Sequence, residues 1–459
     1  MVGKIYRNLM ASGSAALGNY IFSPKFTPIR YQRVAKAANE AGGIALAKYF
    51  GRNYFLISDP LVARELHTTH VSSLKRGGRL YALIQRIVGD GPITADGSEW
   101  LHHRQQLNPS LTDSAVSAYL PSIVKSHAHN FNQWLQRSSS FPIAISREDV
   151  TAVLCSVISK LVFGFSINDD DLRSLCANEF KKNVLLGQIG LAPIKLPTWF
   201  PFSRNRRLHK LTLGSTEVLQ KQLQVYLQRN NHNQPVLCLL NSINAESIAQ
   251  ARCPLHFGKN HLIDLVRNIF YASIMTTSIS LEWALRVLST KPQILDSLRC
   301  EIDFFVSDEY SIPTVLPYLR KCKSFILEVL RLYPPAPGVF RNVSREISYT
   351  GGTLPRGSTV ITSIYGMHTN NLYWEDPFSF RPDRFDLDAS PNDAYWPFHT
   401  GGHICPGKTL ALSELIIALV LIVRRFNVVW QPSLSLEGNL IGPLVFSSGS
   451  DSVLLERRI

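Results

Sequence analysis

The chain has 459 residues, 45% of them hydrophobic and 18% charged, a balance that excludes a disordered, collagen-like or low-complexity protein. Lys and Arg outnumber Asp and Glu by 48 to 34, and the net charge of +14 suits an acidic protein partner or a membrane surface. Nucleic acid is not an expected partner, because no basic run is interleaved with aromatic residues.

From Met1 to Asn39 there is no acid, while Lys4, Arg7, Lys25, Arg30, Arg33 and Lys36 are basic. Residues 1–40 are therefore set apart, as a basic segment for peripheral membrane contact or, alternatively, mitochondrial targeting. No run of about 18 apolar residues occurs, so no spanning helix is expected. The expected location is the cytoplasmic side, soluble or peripherally bound to a membrane. Residues 53–58 read as a strand ending at the turn pair Asp59-Pro60. Apolar residues at helical spacing predict helices over 116–135, 150–163, 208–227, 262–288, 292–305, 319–332 and 410–426. The polar run 230–234 reads as a loop. Residues 346–349 read as a strand running into Gly351-Gly352, and 359–363 as another after Pro355-Arg356-Gly357. Residues 444–446 and 452–456 read as a hairpin across 447–450. The length would allow about three domains. With no linker and no repeat, one large, mostly α domain over 41–459 is expected, with small β regions near each end.

The seven cysteines (155, 176, 238, 253, 300, 322 and 405) are odd in number and contain no Cys-x-x-Cys pair, which argues for a reducing compartment rather than a disulfide scaffold. Cys253 with His256 and His261, and the pair His127 and His129, lack the spacing of a structural zinc site. Cys405 differs from the other cysteines. It stands in Phe398-His399-Thr400-Gly401-Gly402-His403-Ile404-Cys405-Pro406-Gly407, directly before an apolar run with helical spacing. Unpaired backbone N–H groups and the helix dipole favour a thiolate at such a helix start. A thiolate held that way can serve as the single axial ligand of a haem iron.

Glu328 and Arg331 fall three residues apart on one face of an otherwise apolar helix, where they can pair. If Arg384, in Phe380-Arg381-Pro382-Asp383-Arg384-Phe385, joins them, the three form a buried network of charges that satisfy one another.

Glu-x-x-Arg, then Pro-Asp-Arg-Phe, then Phe-x-x-Gly-x-x-x-Cys-x-Gly, in that order, resembles the cytochrome P-450 superfamily of haem-thiolate monooxygenases. Trp100-Leu101-His102-His103-Arg104 matches that family's Trp-x-x-x-Arg helix. The resemblance implies haem b as cofactor, with Cys405 as its proximal thiolate. It gives one haem propionate to Trp100 and Arg104 and the other to Arg341, whose fixed fork meets a carboxylate with two donors. His403 stands where the family usually has an arginine; it can still donate a hydrogen bond, with a full charge only when protonated. Phe398 is expected to pack near the sulfur and limit its solvation.

The segment 270–278 aligns with the family's Ala-Gly-x-Asp/Glu-Thr-Thr. Thr276 takes the place of the threonine whose hydroxyl orders water beside bound dioxygen, although it could simply bond its own backbone four residues back. Ser273 replaces the glycine and Met275 the acid, so protons would have to come by Ser273, Thr277 or a water chain. By the same resemblance, Ala272, Ile274, Met275, Val339, Phe340, Val445 and Phe446 line the substrate pocket. An apolar or amphipathic small molecule is implied, such as a terpenoid, fatty acid, steroid or aromatic compound of secondary metabolism.

The activity implied is insertion of one oxygen atom from O2 by a monomeric enzyme. No flavin or dinucleotide motif is present, so electrons would come from a separate acidic donor, an NADPH-dependent reductase or a ferredoxin, docking on the cysteine side. Met275 keeps a second reading open, a peroxide-using or isomerase/dehydratase-type enzyme that needs no reductase. A non-catalytic haem sensor is the third, and the retained Thr276 argues against it.

Overall fold

The computed structural model describes residues 14–22, 30–136, 142–190, 202–230, 238–241, 259–386, 392–430, 434–441, 443–449 and 452–458. Its framework is helical, and the helix starts follow local chemistry. Asp59 accepts hydrogen bonds from the N–H groups of Leu61 and Val62, both at 2.9 Å, and Pro60 follows it, so the turn pair read from the sequence opens the helix Pro60–Thr68. Ser146 and Asp149 form a capping box at the head of Arg147–Phe163, and Gly164 ends that helix in the left-handed conformation.

The seven expected helices all exist. Most extend a turn or less beyond the apolar pattern, as Asp113–Gln136, Arg147–Phe163, Ser203–Asn230, Lys259–Thr290, Pro292–Phe305, Arg320–Leu332 and Lys408–Arg425. Two of them position the site. In Lys408–Arg425 the run Leu415–Val423 is buried all round, as a helix through the middle of a core should be. Each of its branched side chains contributes about 1.5–3 kcal/mol by burial. Lys259–Thr290, the longest helix, packs against Arg147–Phe163 and against the post-cysteine helix. Together with Asp113–Gln136, Pro292–Phe305 and Arg320–Leu332 they enclose the main hydrophobic core.

A five-stranded sheet has the order β1-β2-β8-β5-β3, built from Ile44–Tyr49, Arg52–Ile57, Thr359–Ser363, Gly338–Val343 and Leu74–Lys75. β2 and β8 run parallel; the other pairs are antiparallel. The helices Ser14–Phe22 and Arg30–Glu40 pack on one face of it through Ile21, Val34 and Ala38. β6 (Ile347–Tyr349) and β7 (Gly352–Leu354) form a small hairpin.

The hairpin expected across 447–450 does not form. β11 (Leu444–Gly449) pairs with β10 (Leu434–Ile441), whereas β12 (Ser452–Arg457) lies between β4 (Ile143–Ser146) and β9 (Phe426–Val429). Val453 and Leu455 bury themselves beside Ile143 and Ile145, some 300 residues away, and no local pattern announces that pairing. Residues 231–234 of the expected polar loop, with Cys253 and His256, lie outside the described residues. No helix among those described is long and apolar enough to cross a membrane.

Candidate functional site

A short turn, Gly401–His403, brings the chain to Cys405 just ahead of the helix Lys408–Arg425. Gly401 has φ +66°, and a Cβ there would stand 2.6 Å from the His67 carbonyl oxygen, so only glycine fits the approach. The Cys405 N–H donates to the Phe398 carbonyl at 2.9 Å, and that of Ile404 to the Gly401 carbonyl at 3.1 Å. Phe398 is half-buried against the main core. The cysteine is exposed by surface area, yet desolvation by surrounding protein is the leading influence on its thiol, pushing the pKa up. Cys405 is thus open to solvent while protein still crowds its sulfur. The Gly407 N–H and the Arg104 charge oppose the rise and favour thiolate.

Basic side chains converge next to this loop. Arg104, in the helix Gly97–Leu107, donates from Nη1 to the Ile404 carbonyl at 2.9 Å and lies 5.7 Å from the centre of the Trp100 ring. That ring meets His403 edge-on at 4.3 Å. Arg341, on β5, is buried and donates to the Tyr81 hydroxyl and to the Phe340 carbonyl, and its Nε has no partner among the described residues. Arg76, which sequence reasoning missed, is also buried here. Its Nη2 is 3.1 Å from His403 Nδ1, its Nη1 donates to the Ala95 carbonyl, and its backbone N–H donates to Asp96 at 2.7 Å. Burial, then the charges of Arg76 and Arg341, pushes His403 down to about 3, so the imidazole is neutral in this setting. Among the described residues Asp96, 4.0 Å from Arg76, is the one carboxylate paired with any of these three arginines.

Behind the loop, Glu328 and Arg331 are fully buried and pair through two hydrogen bonds of 2.7 Å. Arg384 Nε reaches Glu328 at 3.4 Å, and the Arg381 N–H donates to the same carboxylate at 2.8 Å. Arg331 also donates to the carbonyls of His368, Pro377 and Ser379. His368 extends the network: Nδ1 contacts the Arg331 carbonyl at 3.0 Å and Nε2 accepts the Trp396 N–H at 2.9 Å. The ion pair is thereby tied to the strand of chain that runs into the cysteine loop. Nothing in the sequence marked His368, a single histidine outside every motif.

On the long helix, Ala272 is exposed and Ser273 and Thr276 are half-buried, midway along a helix whose flanking residues are buried. Helical spacing places these three on one face. Thr276 Oγ1 donates to the Ala272 carbonyl at 2.7 Å, the backbone bond four residues back, and still borders the open face. Val339 and Phe340 are half-buried on β5. Of the residues expected at the pocket, Ile274, Met275, Val445 and Phe446 are at most 2% exposed. The helix turns Ile274 and Met275 away from the open face, and β11 is covered on both sides.

A family model described as cytochrome P450 matches residues 13–454. The chain belongs to the cytochrome P450 family. Among its relatives are "Cytochrome P450 714B1" of Oryza sativa subsp. japonica, 26% identical over 83% of this chain and 74% of that protein, and "Cytochrome P450 4A24" of Sus scrofa, 27% identical over 77% and 73%. "Protein LUTEIN DEFICIENT 5, chloroplastic" of Arabidopsis thaliana is 22% identical over 84% and 67%. This P450 is a haem-thiolate monooxygenase, and haem is its cofactor. The side chains fit that group. Iron protoporphyrin carries two carboxylates, and three buried guanidiniums with a single carboxylate among them leave positive charge for both.

Proposed function

We propose that Cys405 is the axial ligand of the haem and that this P450 oxidises an apolar small molecule with electrons from a separate acidic donor. The accessible yet enclosed Cys405 sulfur, beside an N–H donor and a guanidinium, is the observation that carries the reading. When bound, the haem supplies dioxygen activation and insertion of one oxygen atom. Gly407 and Arg104 favour the thiolate, while Phe398 limits its solvation. Arg104, Trp100, Arg341 and His403 hold the two propionates, and Glu328, Arg331 and Arg384 fix the framework behind the loop.

On the other side, the Thr276 hydroxyl holds a water and passes protons along the face shared with Ser273. With Met275 in the core, that face offers hydroxyls rather than a carboxylate, and Ser273 suits the relay better than Thr277, which is 4% exposed. The same feature favours a second reading, an enzyme that takes peroxide or an already oxygenated substrate and requires no such relay. Ala272, Val339 and Phe340 offer an apolar wall to a substrate such as a terpenoid, fatty acid, steroid or aromatic compound. The net charge of +14 suits an acidic NADPH-dependent reductase or ferredoxin, and equally a peripheral hold on an anionic membrane.

Turnover of candidate substrates with and without reductase and NADPH tests the reading. Product that forms only with the electron donor supports it, and full yield from peroxide alone with no donor supports the second.

A further inference from the structure

We infer that Asn268 is a positioning residue that sets the size of molecule able to reach the open face at Ala272. With Asp264 and Arg267 it clamps residues 86–93 to the long helix Lys259–Thr290. The inference rests on haem binding at Cys405 and falls on residues that no motif marked.

One turn of helix supplies the clamp, and what it grips is backbone. Asn268 Nδ2 donates to the Val88 carbonyl at 2.9 Å, and Oδ1 accepts the Ile93 N–H at 3.2 Å. Nδ2 also donates to the Asp264 carbonyl at 2.9 Å, so the amide is not free to turn over. Asp264 Oδ2 accepts the Asp90 N–H at 3.2 Å. Arg267, held by Asp264 Oδ1 at 2.7 Å, donates to the Ile87 carbonyl at 2.6 Å. The approach is close enough to require glycine twice. A Cβ on Gly89 would stand 2.2 Å from the Asp264 carboxylate, and one on Gly91 2.4 Å from the Asn268 amide nitrogen. Residues 89–96 lie in neither helix nor strand, so side chains of the long helix do the holding.

Placement gives the clamp its consequence. Asn268 and Ala272 follow one another on one face of the helix, a turn apart. Asn268 is 1% exposed beneath the clamped segment, whereas Ala272 is exposed. The segment therefore ends where the open face begins and forms its rim. The helix before it, Gly78–Val88, is tied at its other end to Phe340, whose carbonyl accepts the Tyr81 hydroxyl at 3.2 Å. Apolar packing fixes that helix, with Leu83 and Ile84 in one cluster with Leu186 and Tyr271. The rim beyond it hangs on Asn268, Asp264 and Arg267. Loosening it widens the opening, which matters to a bulky molecule and little to a diatomic one.

Asn268→Ala tests this in the haem-loaded protein. Three rates are read: association of phenylimidazole with the iron, rebinding of carbon monoxide after photolysis, and hydrogen exchange at the Ile93 amide. Exchange at Ile93 should rise about tenfold, the scale of one net hydrogen bond. The azole should bind faster by about the same factor, and carbon monoxide by less than about twofold. Gly91→Ala reaches the same contact from the other side, its methyl pressing on the Asn268 amide, and should also speed the azole. In the double variant the methyl finds room, so the two effects should not add. Azole association unchanged in both single variants, additive effects in the double variant, or equal acceleration of azole and carbon monoxide would overturn the inference. The reduced, carbon monoxide-bound spectrum of the parent separates the two levels. A thiolate band together with size-blind variants sinks the role of Asn268 alone, whereas no thiolate band sinks the ligand assignment and this inference with it.

Discussion

Glu414 and His127 face each other at 3.8 Å, both buried, where the helix carrying Cys405 at its head crosses Asp113–Gln136. The contact has the range of an ion pair but is a neutral one. Burial pushes the carboxyl up to about 8 and the imidazole down to about 3, and no other charge contributes to either shift. Both ring nitrogens of His127 and Oε1 of Glu414 have no hydrogen-bond partner among the described residues.

That pair sets a pH dependence of stability. Glu414 stays protonated in the folded chain up to about 8 but ionises at 4.5 when unfolded, so its contribution is full below 4.5 and is lost as pH rises towards 8. His127 has the opposite sign: its contribution is full above 6.5 and is lost as pH falls towards about 3. Between 4.5 and 6.5 the two slopes oppose each other, so the melting temperature should be flat there and fall on both sides. Each arm is worth at most about 1.4 kcal/mol per pH unit. Glu414→Gln should flatten the alkaline arm and His127→Phe the acid arm, both visible by calorimetry across pH. An alkaline arm unchanged in Glu414→Gln would place its origin elsewhere.

Glu328→Ala should cost about 3–5 kcal/mol, because Arg331 and Arg384 keep their charges in a buried site without the carboxylate. Through His368 the loss should reach the cysteine loop, so purified protein should carry less haem and melt lower. Full haem content with the parent melting temperature would contradict a structural role for the pair.

How far the sequence foretold all this depends on how local each signal is. The helix Pro292–Phe305 and the partners Glu328 and Arg331 were legible because 3.6-residue spacing and a three-residue offset operate within one element. Arg384 joins across 56 residues, and a motif rather than a period pointed to it. Arg76, Tyr81 and His368 gave no warning, since each acquires its role from residues far along the chain. That Ile274 and Met275 are buried while Ala272 and Thr276 are more open has a related reason. Alignment fixes which turn of the helix passes the site, while burial decides which side of that turn is open.

Gly401→Ala should weaken the loop by about 1–2 kcal/mol for the left-handed backbone alone. The added Cβ also meets the His67 carbonyl oxygen at 2.6 Å, so the loop must shift. Haem content should fall more than the overall melting temperature, because the strain is confined to the cysteine loop. A variant with unchanged haem retention would show that the loop tolerates the displacement.

Thr276→Ala removes a hydroxyl from the open face of the long helix without touching the core. In reductase-driven turnover NADPH consumption should continue, hydrogen peroxide should be released, and product should fall. Product yield per NADPH equal to the parent would mean that protons reach the site by another path.

The spectrum of Cys405→Ser tests the central claim most directly. A hydroxyl is a far poorer anionic ligand than a thiol at neutral pH. The reduced, carbon monoxide-bound variant should therefore lose the red-shifted band of a thiolate-ligated haem that the parent shows. If Cys405→Ser keeps that band unchanged, another residue is the ligand and the assignment of Cys405 is wrong.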